Sequence, residues 1–261
     1  MLSYFQPLAL AALRLFAALL AWQHASRRLF GMFGGDPAVL LSFEWFHGNL
    51  ELVASLALGI GFLTRPAALV IAVDMFLVYL FYGFPRGFPP LGGNLGEQYV
   101  ELALVSALLA VAGPGRFSVD ADMEANHPHL RMPLAAKGLE RHVPQALGAI
   151  RILMALLFAN HGLAKIGIGG TAGTFLSERW TSGVIEVFGG SALALGLFTR
   201  PVAFLASGMT AAAYFLGHAP RAFAPIQNVG DRAALYCFFF LVLVAWGPGR
   251  WALDGLRRKS G

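Results

Sequence analysis

The residues of this sequence that are best suited to chemistry are ionisable side chains inside long apolar segments. In the first half they are His24, Glu51, Asp74 and Glu101. An ionisable group in the hydrocarbon region of a membrane is costly unless it is paired, so each needs a physical reason. A histidine beside a glutamate can move a proton or polarise a small anion. The same pair can also serve only to join two helices by a hydrogen bond, so both interpretations stay open.

The second half repeats this set in part. Its candidate residues are His161, Lys165, Glu186 and Asp231. Asp74 and Glu101 have no ionisable counterpart there, because Met209 and Leu235 stand at the corresponding positions. We therefore expect the first half to carry the more active cavity, with two intramembrane carboxyl groups that relay protons. Alternatively, each carboxyl bonds a neighbouring hydroxyl or backbone group, and Lys165 and Asp231 only mark the membrane boundary.

Two further arginine and aspartate pairs lie near the ends of apolar segments. Arg14 and Asp120 belong to the first half, and Arg151 and Asp254 to the second. We predict that each pair is a structural ion pair that holds the first and last helices of its half together. The alternative is a site for an anion or a lipid headgroup.

Eight apolar segments must position these side chains. The chain is 57% hydrophobic and only 13% charged, whereas a soluble domain has roughly 25% charged residues. We therefore predict an all-α integral membrane protein with about eight transmembrane helices. The predicted segments are 8–25, 48–63, 66–83, 95–113, 146–166, 183–198, 201–218 and 230–247.

An internal repeat decides the predicted organisation. Many motifs recur in the same order at a nearly constant offset of about 135 residues, as in tandem repeats. We predict a first four-helix unit at 1–120, a polar cytoplasmic linker at 121–145 and a second four-helix unit at 146–261. The repeated motifs are Arg14 with Arg151, His24 with His161, Glu51 with Glu186, Thr64-Arg65-Pro66 with Thr199-Arg200-Pro201, and Gly113-Pro114-Gly115-Arg116 with Gly247-Pro248-Gly249-Arg250.

The charge distribution gives the predicted orientation. Each unit has an even number of helices, so the two units are parallel repeats. Lysine and arginine are more frequent on the side of the N-terminus, which favours both termini in the cytoplasm, with the chain in a bacterial inner membrane. The net charge of +5 comes from scattered basic residues, which fit contact with membrane lipid and not with nucleic acid. One cysteine, Cys237, excludes an internal disulfide, and no haem, flavin or metal motif is found.

The motifs of the second half resemble the DoxX family of four-helix membrane proteins. They read Asn160-His161-Gly162-x-x-Lys165, then Glu186-x-x-Gly189-Gly190, then Gly196-Leu197-Phe198-Thr199-Arg200-Pro201. The first half resembles the family with two departures: Ala25 follows His24, and Arg28 stands at the lysine position. Together the two halves cover nearly the whole chain outside the linker.

The resemblance implies a membrane-embedded subunit of a redox system. Related proteins take part in quinone-coupled sulfur oxidation, as in thiosulfate:quinone oxidoreductase, or in complexes that handle oxidative stress. We predict that a quinone docks near His24 and Glu51, and that a partner protein supplies the electrons. Two alternatives remain: a non-enzymatic scaffold, assembly chaperone or cargo-type subunit, and a transporter of a small solute.

Overall fold

The computed structural model describes residues 2–86, 96–127, 138–168 and 170–257, and every regular element in these ranges is helical. Each of the eight predicted apolar segments lies largely within a long helix, so the predicted all-helical class is confirmed. The long helices are α1 Leu2–Phe30, α2 Phe43–Ile60, α3 Thr64–Val78, α4 Glu97–Ala112, α6 Val143–Lys165, α7 Glu178–Leu195, α8 Thr199–Ala213 and α10 Asp231–Trp246. The short helices are α5 Val119–Asn126, α9 Pro225–Asn228 and α11 Asp254–Arg257.

Within the described part of the chain, three helical stretches are long and apolar enough to cross a membrane. They are Tyr4–Phe30, Thr64–Gly83 and Leu139–Lys165. The middle of the predicted linker, at 128–137, lies outside the described residues, and its two ends are helical.

The second helix of each half begins and ends in the same way. Ser42 caps α2 by accepting a hydrogen bond from the backbone N–H of Trp45 at 3.1 Å, and Ser177 caps α7 through Trp180 at 3.3 Å. Both helices end at a glycine with a left-handed backbone, which residues with a Cβ rarely adopt. A short loop then turns the chain directly into the next helix.

The third helix of each half also repeats its counterpart. α3 follows Leu63 and α8 follows Phe198, and both preceding residues have a φ of 48°. Each helix runs into a π-helical turn, at Tyr79–Gly83 in the first half and at Tyr214–His218 in the second. Such turns are rare and frequently lie at functional sites.

The two halves share one hydrophobic core. The long helices form a ring in which α1 packs on α10 and α4 packs on α6, so that each contact joins the two halves. At the α1–α10 contact, the indole N–H of Trp246 donates to the carbonyl of Gln6 at 3.2 Å, and the rings of Phe16 and Phe238 lie 4.8 Å apart. The first helix of each half therefore packs against the last helix of the other half.

Candidate functional site

A cavity of about 360 Å³ lies in the second half, among α6, α7, α8 and α10. Phe158 and Tyr236 form its aromatic wall, with ring centroids 5.1 Å apart. A cavity of this volume is in the range that holds small organic ligands. Its ionisable lining residues are His161, Lys165, Arg179, Glu186, His218 and Arg232. The structure therefore brings three of the predicted second-half residues, His161, Lys165 and Glu186, to one cavity.

Cations outnumber acids in this cavity. Lys165, Arg179 and Arg232 are basic, and Glu186 is the one acid among the described lining residues. The Lys165 ammonium lies 2.5 Å from Glu186 Oε1 and 3.4 Å from the hydroxyl of Ser182. Because the positive charges face a space with apolar walls, the cavity favours anions and electron-rich atoms.

A junction cluster, formed by Glu97, His161 and Arg232, joins the cavity to the first half. Arg232 Nη1 lies 2.7 Å from Glu97 Oε2 and 2.9 Å from His161 Nε2. His161 Nε2 itself lies 3.1 Å from the same oxygen of Glu97, which is fully buried. His161 can accept a hydrogen bond from Arg232 when it is neutral at Nε2, or donate one to Glu97 when it is protonated there. The cluster thus places a titratable nitrogen between a cation and an acid.

Glu101 lies one turn beyond Glu97 on α4 and is also fully buried. Its carboxylate is next to the hydroxyl of Tyr236. Neither Glu101 oxygen nor the Tyr236 hydroxyl completes a hydrogen bond of ordinary geometry with the described residues. Buried polar atoms are almost always satisfied, and these two groups are the nearest partners for each other.

The first half holds a different polar cluster between α2 and α3. Arg28 Nη1 donates to Glu51 Oε2 at 2.8 Å, and His47 Nδ1 forms an ion pair or hydrogen bond with Asp74 Oδ1. His47 and Asp74 therefore meet Glu51 in this cluster. Glu101 belongs to the surroundings of the junction cluster, so the two extra carboxyl groups of the first half occupy different sites.

The predicted contact between histidine and glutamate within each half is wrong. Glu51 pairs with Arg28, and the His24 ring lies 5.6 Å from the ring of Tyr99 on α4. His161 faces the same cavity as Glu186, but its close partners are Glu97 and Arg232. The reason in the first half is that α2 begins at Phe43, so Glu51 lies two turns inside the helix and not at its start.

The predicted partners Arg14 and Asp120, and likewise Arg151 and Asp254, attract each other electrostatically, but the hydrogen bonds of these side chains go mainly to backbone groups. Arg14 donates to the carbonyls of Pro114 and Phe117, and Asp120 accepts from the N–H groups of Leu63 and Thr64, each at 2.8 Å. Asp254 likewise accepts from Phe198 and Thr199. Arg151 donates to the carbonyls of Leu193, Ala194, Pro248, Arg250 and Trp251. Helix ends leave backbone groups without partners, and these charged side chains satisfy them.

Five residues of these clusters were not predicted as site residues: Arg28, His47, Glu97, Arg232 and Tyr236. The spacing of His47 and Glu51, four residues apart, is a signal that both lie on one face of a helix. Asp231, which was predicted, lies at the N-terminus of α10, where an acid is favoured. The neighbouring residue, Arg232, contacts Glu97 of the first half.

Comparison with known proteins places this architecture among membrane proteins. The family model described as DoxX matches residues 146–219. An uncharacterized protein of Haemophilus influenzae is 40% identical over 125 residues, which cover 44% of this chain and 93% of that relative. The relative is therefore about half as long as this chain. No solved structure matches this chain.

Proposed function

Because this chain belongs to the DoxX family of membrane proteins, we propose that it is a membrane-embedded subunit of a redox system that binds a quinone. The observation that carries this proposal is the cavity of the second half, where aromatic rings, cations and a partly exposed histidine meet. A quinone has the matching chemistry, since its ring is flat and apolar and its two oxygens accept hydrogen bonds.

The cavity offers distinct places for the two parts of a quinone. The rings of Phe158 and Tyr236 supply a surface for the quinone ring. Lys165 and Arg232 are donors for its oxygens, and charge-assisted hydrogen bonds are the stronger kind. This arrangement replaces the predicted docking position near His24 and Glu51, because the corresponding residues of the second half line the cavity.

Reduction of a quinone to a quinol adds two electrons and two protons to the ring oxygens. In this proposal a partner protein that carries a redox centre supplies the electrons. His161 is in hydrogen-bond reach of Glu97 and can deliver one proton to an oxygen in the cavity. Glu101, one turn beyond Glu97 and beside Tyr236, can then return a proton to His161. His161 delivers this second proton to the quinone, and solvent restores the proton of Glu101.

The proposal includes the membrane arrangement. Eight long helices cross the membrane as two parallel four-helix units that arose by duplication, with both termini in the cytoplasm of a bacterium. The repeated caps, glycine ends and π-helical turns of the two halves support the duplication. The half-length relative supports it too.

The test is quinone binding by the full chain in lipid nanodiscs. Mass spectrometry of the gently purified protein is expected to find bound quinone, and titration with a short-chain quinone is expected to show saturable binding. Lys165→Gln should weaken this binding about tenfold, because one charge-assisted hydrogen bond contributes on the order of 1.5 kcal/mol. Arg28→Gln is the matched control, since Arg28 occupies the same position in the first half and should leave the quinone affinity unchanged.

Other results would contradict the proposal and favour the alternatives. Stable co-purification of a partner protein without any quinone binding would indicate a scaffold, chaperone or cargo-type subunit. Uptake of a small solute by sealed vesicles, driven by a proton gradient, would indicate a transporter. Equal quinone affinities of the Lys165 and Arg28 variants would place any bound quinone outside this cavity.

A further inference from the structure

Three side chains of the first half have the types and the spacing of metal ligands. His47, Glu51 and Asp74 each offer one ligand atom, and these three atoms lie within 4.8 Å of one another. His47 and Glu51 are four residues apart on α2 and therefore lie on one face of that helix. Asp74 reaches the same point from α3, which packs against α2. The fold of the two helices, and not a flexible loop, thus sets the spacing.

Two buried carboxylate oxygens in this cluster have no partner among the described residues. Glu51 is fully buried, and while its Oε2 accepts from Arg28, its Oε1 makes no hydrogen bond. Asp74 is only 6% exposed, and while its Oδ1 pairs with His47, its Oδ2 makes no hydrogen bond. Leaving such oxygens unpaired is costly. A bound cation would satisfy both.

The charges of the cluster also leave room for a cation. When both are ionised, Glu51 and Asp74 carry two negative charges, and Arg28 neutralises one of them. A bound positive ion would neutralise the other. His47 is 15% exposed, so an ion can reach the cluster along the imidazole ring.

The donor set selects the class of ion. One imidazole nitrogen with two carboxylates suits a divalent first-row transition metal such as Zn²⁺ or Mn²⁺. Ligand atoms lie about 2.0–2.2 Å from Zn²⁺, so two ligands of one ion are at most about 4.4 Å apart. All three ligand atoms lie within 4.8 Å of one another, so side-chain shifts of less than about 1 Å would bring them to one ion.

In the second half, a lysine ammonium lies at the position that corresponds to this cluster. The second-half residues at the positions of His47, Glu51 and Asp74 are Ser182, Glu186 and Met209. The ammonium of Lys165 lies against both Ser182 and Glu186 there. The second half thus combines one carboxylate with one ammonium, whereas the first half combines two carboxylates and a histidine with one guanidinium.

We propose that the first half binds one divalent transition-metal ion between His47, Glu51 and Asp74. Arg28 orients Glu51 by holding its second oxygen, as outer partners of metal ligands do. This site goes beyond the proposed function, because the quinone cavity of the second half uses none of these three residues.

The test uses the full chain, stripped with a chelator and then titrated with Zn²⁺, Mn²⁺ or Co²⁺. We expect one ion per chain, a higher melting temperature of the loaded protein, and a visible Co²⁺ absorption band from the imidazole and carboxylate ligands. His47→Gln and Asp74→Asn should each weaken metal binding by more than about tenfold. Glu44→Gln is the matched control, since it removes an exposed acid from the first turn of the same helix.

Circular dichroism of each variant separates a lost site from a lost fold. Folded His47→Gln and Asp74→Asn proteins that bind metal as tightly as the unchanged chain would overturn the proposal. The proposal would also be overturned if the unchanged chain bound metal only weakly and Glu44→Gln reduced this binding as much as the ligand variants do. Such binding would be a general attraction to surface charge. Absence of any bound ion in the unchanged, folded protein would also overturn the proposal. Quinone binding is measured separately, so either proposal can fail without the other.

Discussion

Corresponding positions of the two halves carry opposite chemistry on the same scaffold. In the first half, α2 and α3 bring His47, Glu51 and Asp74 together, and acids dominate. In the second half, α7 and α8 line a cavity in which Lys165, Arg179 and Arg232 dominate. The residues of the first half that correspond to these three cations are Arg28, Glu44 and Gln98.

The scaffold beneath these differences is nearly unchanged. Both halves use a serine cap, a glycine helix end, an aspartate that binds the start of the third helix, and a π-helical turn at that helix's end. The sequence thus varies the side chains that face the interior while the groups that complete helix ends stay the same. Four pairs of substitutions test this division.

The largest effect is expected for Arg151→Leu. Its guanidinium is fully buried and donates to five carbonyls, which lose their partner together. We expect the free energy of unfolding in detergent micelles to fall by about 3–5 kcal/mol. Arg14→Leu should cost about half as much, because Arg14 donates to two carbonyls. Equal losses of stability would show that the two arginines stabilise the fold equally, although they donate to different numbers of carbonyls.

Glu97→Gln should have the next largest effect. It removes the carboxylate that pairs with Arg232 across the two halves, and Arg232 remains largely buried. We expect a loss of about 2–3 kcal/mol in the free energy of unfolding. Asp231→Asn, at the corresponding position of the second half, should cost only about 0.5 kcal/mol through the helix dipole. Similar losses of stability for the two variants would mean that Asp231 stabilises the junction cluster as much as Glu97 does.

Ser42→Ala and Ser177→Ala should have smaller and equal effects. Each removes one hydrogen bond at the start of the second helix of its half. We expect each to lower the free energy of unfolding by about 1 kcal/mol. Thermal unfolding of both variants measures these losses. The double variant should lose the sum of the two, because the two caps are independent. Clearly unequal losses would mean that the two scaffolds are not equivalent.

The smallest effect is expected for Tyr236→Phe. The ring stays in the cavity, and only the hydroxyl beside Glu101 is lost. We expect the quinone affinity to fall about threefold and the stability to stay within about 0.5 kcal/mol. Tyr99→Phe is the control, because Tyr99 lies beside His24 in the first half. A larger loss of affinity in the control would place the quinone near His24 after all.

Much of the fold could be predicted from local patterns. Gly113-Pro114 and Gly247-Pro248 are local helix-stop signals, and α4 and α10 end at the residues before them. Apolar length and helix-stop signals depend on nearby residues, so they can be seen in one sequence. The start of α2 was missed because polar residues such as Glu44 and His47 precede its apolar stretch.

The partners of the charged residues could not be predicted in the same way. Arg14 and Asp120 do lie at the same end of the first half, but both bind backbone groups that sequence patterns do not show. The junction cluster joins α4, α6 and α10, and a repeat within one sequence says nothing about which helices of the two copies meet. His47 was overlooked because it lies outside the predicted apolar segments. Only the three-dimensional structure brings it close to Asp74 on the neighbouring helix.

The packing of α1 against α10 has a consequence for the synthesis of the protein. Helix α1 must pack against α10, which leaves the ribosome roughly 200 residues later, or on the order of ten to forty seconds of synthesis later. During that time the side of α1 that α10 will cover, including Phe16, faces lipid or the insertion machinery. A chain whose synthesis stops before α10 therefore leaves this side of α1 exposed to quality control.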